Sequence, residues 1–254
     1  TTVEELAELM VGRRVLLHVD KQPANPGEIY LSVRNLTVKD SRGVVMVDNV
    51  SFDVRSGEIV GIAGVAGNGQ SELLEAITGI RKPTSGEIWI GGRNVAGLDP
   101  AELRGIGVAH IPENRHHMGL VLAFEESQNA ILGYHRDERY GKGFFLDPEA
   151  IRKAAVAEIE KYDIRPPNPR LKTANFSGGN QQKIVLAREM ERNPDVLIIG
   201  QPTRGVDVGA IEFIHKRIIE MRDQGKAILL VSVELDEIRS LADRVIVMFA
   251  GRIA

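Results

Sequence analysis

Gly64, Gly67, Asn68 and Gly69, followed by Gln70, Ser71 and Glu72, are the first residues whose types and spacing could do chemistry. The apolar run Ile59-Val60-Gly61-Ile62-Ala63 precedes them and reads as a buried parallel strand, and a helix begins at Ser71. Strand, glycine loop and helix form the setting in which backbone N–H groups converge on a phosphate and the helix dipole adds to their pull. The spacing is that of G-x-x-x-x-G-K-[S/T], with Gln70 in the place of the lysine. Lysine sets a full positive charge against the β- and γ-phosphates, whereas glutamine offers only an amide. On these residues alone, an ordinary glycine-rich βα turn is the alternative.

A second candidate is Phe176-Ser177-Gly178-Gly179-Asn180-Gln181-Gln182. Ser177 can cap a helix running to Met190, and two glycines leave its N-terminus uncovered, which suits an anion. Taken alone, a plain serine-capped helix is the simpler reading. Val196-Leu197-Ile198-Ile199 is apolar throughout, as a doubly covered strand should be, and runs into Gly200-Gln201-Pro202-Thr203-Arg204-Gly205-Val206-Asp207. A further strand, Gly107 to Ile111, leaves through Pro112-Glu113-Asn114-Arg115.

The remaining chain supplies a frame for these stretches. Residues 28–57 alternate, with Ile29, Leu31 and Val33 and later Val50, Phe52 and Val54 on one face, and predict antiparallel strands. Glu87-Ile88-Trp89-Ile90 adds a strand to the same sheet, and Asp99-Pro100 starts a short helix. Strand signal is weak from 115 to 174, where Asp147-Pro148 caps a helix with Ile151, Ala155, Ile159 and Tyr162 on its apolar face. This region is expected to be a mainly helical insert. A helix carrying Ile211, Ile214 and Ile218 as core residues ends at Gly225. Ala227–Val231 and Val245–Met248 read as buried strands around a helix with Leu235, Ile238 and Leu241. Strands alternating with helices give an α/β fold with a mainly parallel sheet.

Composition narrows the function classes. A net charge of -3 over 254 residues does not favour a nucleic-acid partner, and the absence of cysteine excludes disulfides and thiolate metal sites. Apolar runs are strand-length, short of the roughly 20 residues of a membrane helix. With no signal peptide in view, a cytosolic chain is expected. The six histidines form no H-E-x-x-H pair, so no metal site is expected, and His116-His117 read as solvated loop residues. The chain opens without methionine, and Thr2 to Glu5 is a capping-box pattern before a helical face of Leu6, Leu9 and Met10. A cut from a longer polypeptide is the expected origin of that start, with Gln22 to Gly27 as a linker.

Together, the phosphate loop, Phe176–Gln182, Val196–Asp207 and Val231–Leu235 resemble, in order and spacing, the nucleotide-binding cassette of ABC transporters over residues 28 to 254. The resemblance implies a P-loop NTPase (RecA-like) core with an antiparallel β part (about 28–57 and 86–97) and a helical insert (about 115–174). It implies ATP with Mg²⁺ held between two head-to-tail cassettes, each site taking its phosphate loop from one partner and its signature from the other. Ser177, Gly178, Gly179, Asn180 and Gln181 then form the signature, facing a nucleotide seated on the partner. Glu113 falls at the Q-loop position and Asp207 at the D-loop aspartate.

The departures from the family pattern are systematic. Gln70 replaces lysine, Gly200 the aspartate that supports Mg²⁺, Gln201 the glutamate that polarises water, and Val233 the switch histidine. No catalytic residue in cis is expected. Phe-Ser-Gly-Gly-Asn-Gln-Gln and Pro-Thr-Arg-Gly resemble the second cassette of tandem importers for monosaccharides and nucleosides, and Gly200-Gln201 lies nearest the nucleoside branch. Residues 1–26 would then be the tail of a preceding cassette and a linker, and 27–254 the second cassette. The implied partners are that first cassette, transmembrane permease subunits and, indirectly, a solute-binding protein, with the chain at the cytoplasmic face of the membrane. Met118 and Leu120 in the insert are expected to meet the membrane subunit. The alternatives are a soluble ABC-type ATPase and a nucleotide-sensing pseudo-enzyme not linked to transport.

Overall fold

A computed structural model describes residues 21–142 and 145–254; the expected face of Leu6, Leu9 and Met10 lies outside them. In chain order the strands are β1 (Ile29–Lys39), β2 (Val45–Arg55), β3 (Glu58–Ala63), β4 (Ser85–Ile90), β5 (Arg93–Asn94), β6 (Val108–Ile111), β7 (Gly141–Lys142), β8 (Phe145–Leu146), β9 (Val196–Gly200), β10 (Ala227–Val231), β11 (Arg244–Phe249) and β12 (Arg252–Ile253). The α-helices are α1 (Gln70–Ile77), α2 (Pro100–Gly105), α3 (Glu126–Ala130), α4 (Pro148–Lys161), α5 (Gly178–Met190), α6 (Val208–Asp223) and α7 (Leu235–Leu241). They divide into two compact units: one takes the described residues from residue 21 up to Glu113, with Pro194–Pro202 and His215–Ala254, the other Asn114–Asn193 with Thr203–Ile214.

The first unit holds both large sheets. One runs β12-β11-β3-β10-β9-β6, parallel from β11 to β6, and the other is antiparallel in the order β2-β1-β4-β5. Leu31, Val33, Phe52 and Val54 of the antiparallel sheet, Leu73 and Ile77 of α1, and Val60, Ile198 and Leu229 of the parallel sheet share one buried cluster. On the far face α7 comes so close that a Cβ on Gly61 would stand 2.7 Å from Ala242 Cβ. Asp99 caps α2 through a capping box with Glu102, with Pro100 in the first turn. The Gln22–Gly27 linker is held down at its start: Arg222 Nη2 donates to the Gln22 carbonyl at 2.9 Å, and Lys21 Nζ donates to those of Leu241 and Ala242.

Two expectations need correction. The buried face of β1 does not continue from Ile29, which is 42% exposed; it passes from Leu31 and Val33 to Leu36 and Val38. Asn35 and Asn49 lie on adjacent strands with φ of 47° and 52°, and Asn35 Nδ2 donates to Asn49 Oδ1 at 2.9 Å. These paired irregularities shift the alternation by one residue on both strands. Likewise β11 is not buried on both faces as β10 is. Ile246 and Met248 are buried but Val245 and Val247, on the opposite face of the strand, are 47% and 48% exposed.

The second unit carries α3, α4 and α5, a π-helical turn at Arg115–Gly119 and the small β7–β8 hairpin. Asp147 caps α4, accepting from the N–H groups of Glu149 and Ala150. Glu126 is fully buried and Glu158 nearly so, and neither Glu126 carboxyl oxygen has a partner. Burial, with the Glu158 charge adding, pushes Glu126 up to about 8. Burial also pushes Glu158 up to about 7, against the pull of Arg192. A carboxyl whose folded pKa lies above its ordinary 4.5 contributes stability that is complete below that value and drains away as pH climbs to about 8. The thermal midpoint is therefore expected to fall between pH 5 and 8.5. Glu126→Gln should recover a few degrees of that fall at the alkaline end, since one pK unit is about 1.4 kcal/mol. Parallel melting profiles for parent and variant would contradict this.

Candidate functional site

In the first unit, β3 ends at Ala63 and α1 begins at Gln70, so the glycine loop spans strand end to helix start. Gly69, with φ 97°, turns the chain into α1, and no side chain caps that helix. The N–H groups of its first turn are thus available to an anion, which is the feature by which this loop fits a phosphate. Gln70 does not extend toward that space. Its side chain is buried and folded back on the loop, Nε2 donating to the Val65 carbonyl and Oε1 accepting from the Asn68 N–H, both at 3.1 Å. Asn68 Oδ1 accepts from the Ala250 N–H at 2.7 Å, tying the loop to the β11–β12 turn. The loop is braced by neutral amides, without a charge offered to phosphate.

Around this loop stand the other positions named from sequence. Ser71 Oγ donates to Glu113 Oε2 at 2.5 Å, bringing the helix start and the end of β6 together. Gly200 is buried at the end of β9. Gln201 adopts φ 47°, unusual for a residue with a side chain, and its Oε1 accepts from the Val233 N–H at 3.3 Å. Val233 itself is half exposed, in a groove lined by Ala63, Gly64, Val65, Ala66, Ser232 and Leu235. A water activated for attack needs a base within hydrogen-bond reach. Here an amide already engaged by backbone and an isopropyl group occupy the positions where the resemblance implies a carboxylate and an imidazole.

In the second unit, Ser177 is the N-cap of α5. Its Oγ accepts from the Asn180 N–H at 3.4 Å and from Asn180 Nδ2 at 2.8 Å. Both glycines are required by what lies beside them. A Cβ on Gly178 would stand 2.6 Å from the Gly205 carbonyl oxygen and 2.8 Å from Arg115 Nη2. One on Gly179 would stand 2.5 Å from Asp207 Oδ2 and 2.9 Å from Ala210 Cβ. Asp207 also caps α6, accepting from the Ala210 N–H at 3.0 Å. Within this unit the structure therefore brings Ser177, Gly178, Gly179 and Asp207 together.

Gln181 departs from its expected place among them. It is buried, donating through Nε2 to the carbonyls of Thr173 and Phe176 at 3.1 Å, and its Oε1 lies 2.7 Å from His116 Nε2. It braces the preceding loop instead of facing outward, and His116 is a bonded residue instead of a merely solvated one. Leu120 is buried too, while Met118 is exposed, so only the latter could meet another subunit. Sequence reading missed Arg115, whose Nη1 and Nη2 donate to the carbonyls of Arg204 and Gly205 at 2.7 and 3.2 Å. Among the described residues no group of three or more histidines and carboxylates could hold a metal, and no helix is long and apolar enough to cross a membrane.

A family model described as ABC transporter matches residues 47–204. Among curated proteins, the chain is 49% identical over 253 residues to the guanosine import ATP-binding protein NupO of Bacillus subtilis (strain 168), taking in 100% of this chain and 50% of that protein. It is 43% identical over 251 residues to the glucose import ATP-binding protein TsgD13 of Haloferax volcanii, covering 98% of this chain and 46% of that one. The chain spans about half the length of the curated relatives it matches. Among solved structures, a dimeric post-hydrolysis state of an ATP-binding cassette bound to ADP and Pi aligns with a TM-score of 0.75 at 25% identity, over 88% of this chain and 96% of that one.

Proposed function

The chain belongs to the ABC transporter family, and we propose that it is the second, hydrolytically degenerate cassette of a tandem importer ATPase. In this reading Ser177, Gly178 and Gly179 serve a nucleotide held by the first cassette of the same polypeptide. The cassettes drive permease subunits at the cytoplasmic face of the membrane, fed by a solute-binding protein. The observation that carries the reading is the contrast between the two halves of the site. The groups needed for hydrolysis in cis are absent at Gln70, Gly200, Gln201 and Val233, while the signature turn keeps its serine cap and two glycines packed without room for a side chain.

ATP fits both halves on these terms. The glycine loop and the open first turn of α1 would hold the phosphates of one nucleotide, and the N-terminus of α5 would meet the terminal phosphate of the other. Mg²⁺ would screen the phosphate charge. The chain's own part is to bind, orient and exclude water, with no proton taken from water by its residues. Nucleosides are favoured over sugars as cargo. The Gly200-Gln201 pair and the higher identity to a guanosine importer than to a glucose importer both support that choice.

Cross-linking tests the trans arrangement directly. Ser177 is exposed and the chain has no cysteine. In the full-length protein, Ser177→Cys paired with a cysteine in the phosphate loop of the first cassette should cross-link in the presence of ATP and far less without it. A cross-link that ignores ATP, or none at all, would remove the signature from that site.

A further inference from the structure

Arg115 begins the π-helical turn Arg115–Gly119, which Asn114 fixes by accepting from the N–H groups of His116 and His117. The turn is tied on two sides. On one, His116 Nε2 donates to Gln181 Oε1 of α5 at 2.7 Å, a direction set by the Gln181 amide, whose Nε2 already donates to two carbonyls. On the other, Arg115 Nη1 and Nη2 donate to the carbonyls of Arg204 and Gly205 at 2.7 and 3.2 Å. Two successive carbonyls suit the planar fork of arginine, which the single ammonium of lysine does not match. Nη2 and the Gly205 carbonyl oxygen are also the atoms that a Cβ on Gly178 would meet, at 2.8 and 2.6 Å. Gly205 itself turns through φ 65°, with Nη2 3.5 Å from where its own Cβ would stand. Gly178, Gly205 and the guanidinium thus pack as one piece.

The guanidinium sits in an unfavourable place. Its Nε is buried without a partner, and burial pulls its pKa below the usual value with no carboxylate among the described residues to offset it. It also stands beside the N-terminus of α5, the positive end of the helix dipole. The two carbonyl bonds hold it there, and those bonds mark its role. We propose that Arg115 is a positioning residue of the site in trans: it locks the Arg204–Gly205 backbone to the first turn of α5, so that the signature and Asp207 meet a nucleotide as one rigid surface. The role rests on the reading that this nucleotide is held by the first cassette. The loop's other ties, from the Val206 N–H to the Thr203 carbonyl and from Asp207 to the Ala210 N–H, do not cross to α5. A surface ordered in advance loses less freedom when the cassettes close.

The test has one arm on the purified chain and one on the tandem importer proposed above. Arg204 is exposed and the chain has no cysteine, so a nitroxide on Arg204→Cys reports the loop by electron paramagnetic resonance. Adding Arg115→Ala should sharpen its spectrum, and methylguanidinium should broaden it again, a rescue that general loss of fold would not allow. In the importer, Arg115→Ala should lower kcat for stimulated ATPase by about 10- to 100-fold, as misplacement at a distance does. KM for ATP should change little, because Arg115 does not touch the nucleotide, and methylguanidinium should restore part of the rate. The proposal is overturned if the label stays as immobile in Arg115→Ala as in the parent, if kcat does not fall, or if methylguanidinium restores neither. Loss of the ATP-dependent Ser177 cross-link in the parent would instead overturn the reading beneath it, whatever the label on Arg204→Cys shows.

Discussion

Gly179→Asp, placed in the tandem importer proposed above, is expected to lower substrate-stimulated ATPase by at least 10²–10³, the loss typical of removing one preorganised electrostatic group. Two effects act together. Space is absent, because even a Cβ at 179 would stand 2.5 Å from Asp207 Oδ2 and 2.9 Å from Ala210 Cβ. Charge is wrong as well, since a second carboxylate would be forced against Asp207 and would repel the phosphate proposed to meet the α5 N-terminus. Gln70→Ala should change the same rate only modestly, because the Gln70 amide is engaged by Val65 and Asn68 inside its own loop. Gly179→Ala, which adds the steric fault without the charge, should fall between them. Steady-state turnover of the three purified complexes decides the ranking. Gln70→Ala as the damaging change, with Gly179→Asp tolerated, would put the chemistry on this cassette instead.

The parts of this arrangement that could be read in the sequence are those fixed by local pattern. The apolar run of β3, the glycines after it and the amphipathic start of α1 each lie within one turn or strand, so their periodicity declares them. The Asp99 and Asp147 caps announce themselves in the same way, each followed by a proline. What escaped depends on partners distant in sequence. The phase slip at Asn35 needs the facing slip at Asn49, and one strand alone does not reveal it. Asn180 and Gln181 have similar chemistry, but one step around a helix turns a side chain by about 100°, enough to send Gln181 inward. Arg115 finds its acceptors 89 and 90 residues away. The pairing of Ser71 with Glu113 across 42 residues is likewise a product of the sheet order, which sets β6 beside β9. Substitutions at Gln70, Gly200, Gln201 and Val233 were legible as departures, yet the resulting bonds were not.

Those bonds bear on the hydrolytic capacity of the chain by itself. Purified alone, it is expected to turn over ATP far below ~1 per second, the low end of ordinary enzymes. On the proposed reading three separate requirements fail, since the loop carries Gln70 in place of a lysine, position 201 is an amide and position 233 is valine. Losses of this kind do not simply multiply, so repairing one is not expected to restore rate. Gln70→Lys is the sharpest case. The ammonium can take over the bond to the Val65 carbonyl, release the Asn68 N–H now held by Gln70 Oε1, and face the phosphates. A charge-assisted hydrogen bond contributes about 1.5–3 kcal/mol, so ATP affinity should rise by about tenfold or more. Turnover should stay at the background of the parent, since Gln201 remains bonded to the Val233 N–H and cannot act as a base. Calorimetry and a turnover assay on the same two preparations separate the effects. Unchanged affinity would mean that the side chain at 70 does not face a phosphate, and turnover approaching ~1 per second in either protein would overturn the proposed degeneracy.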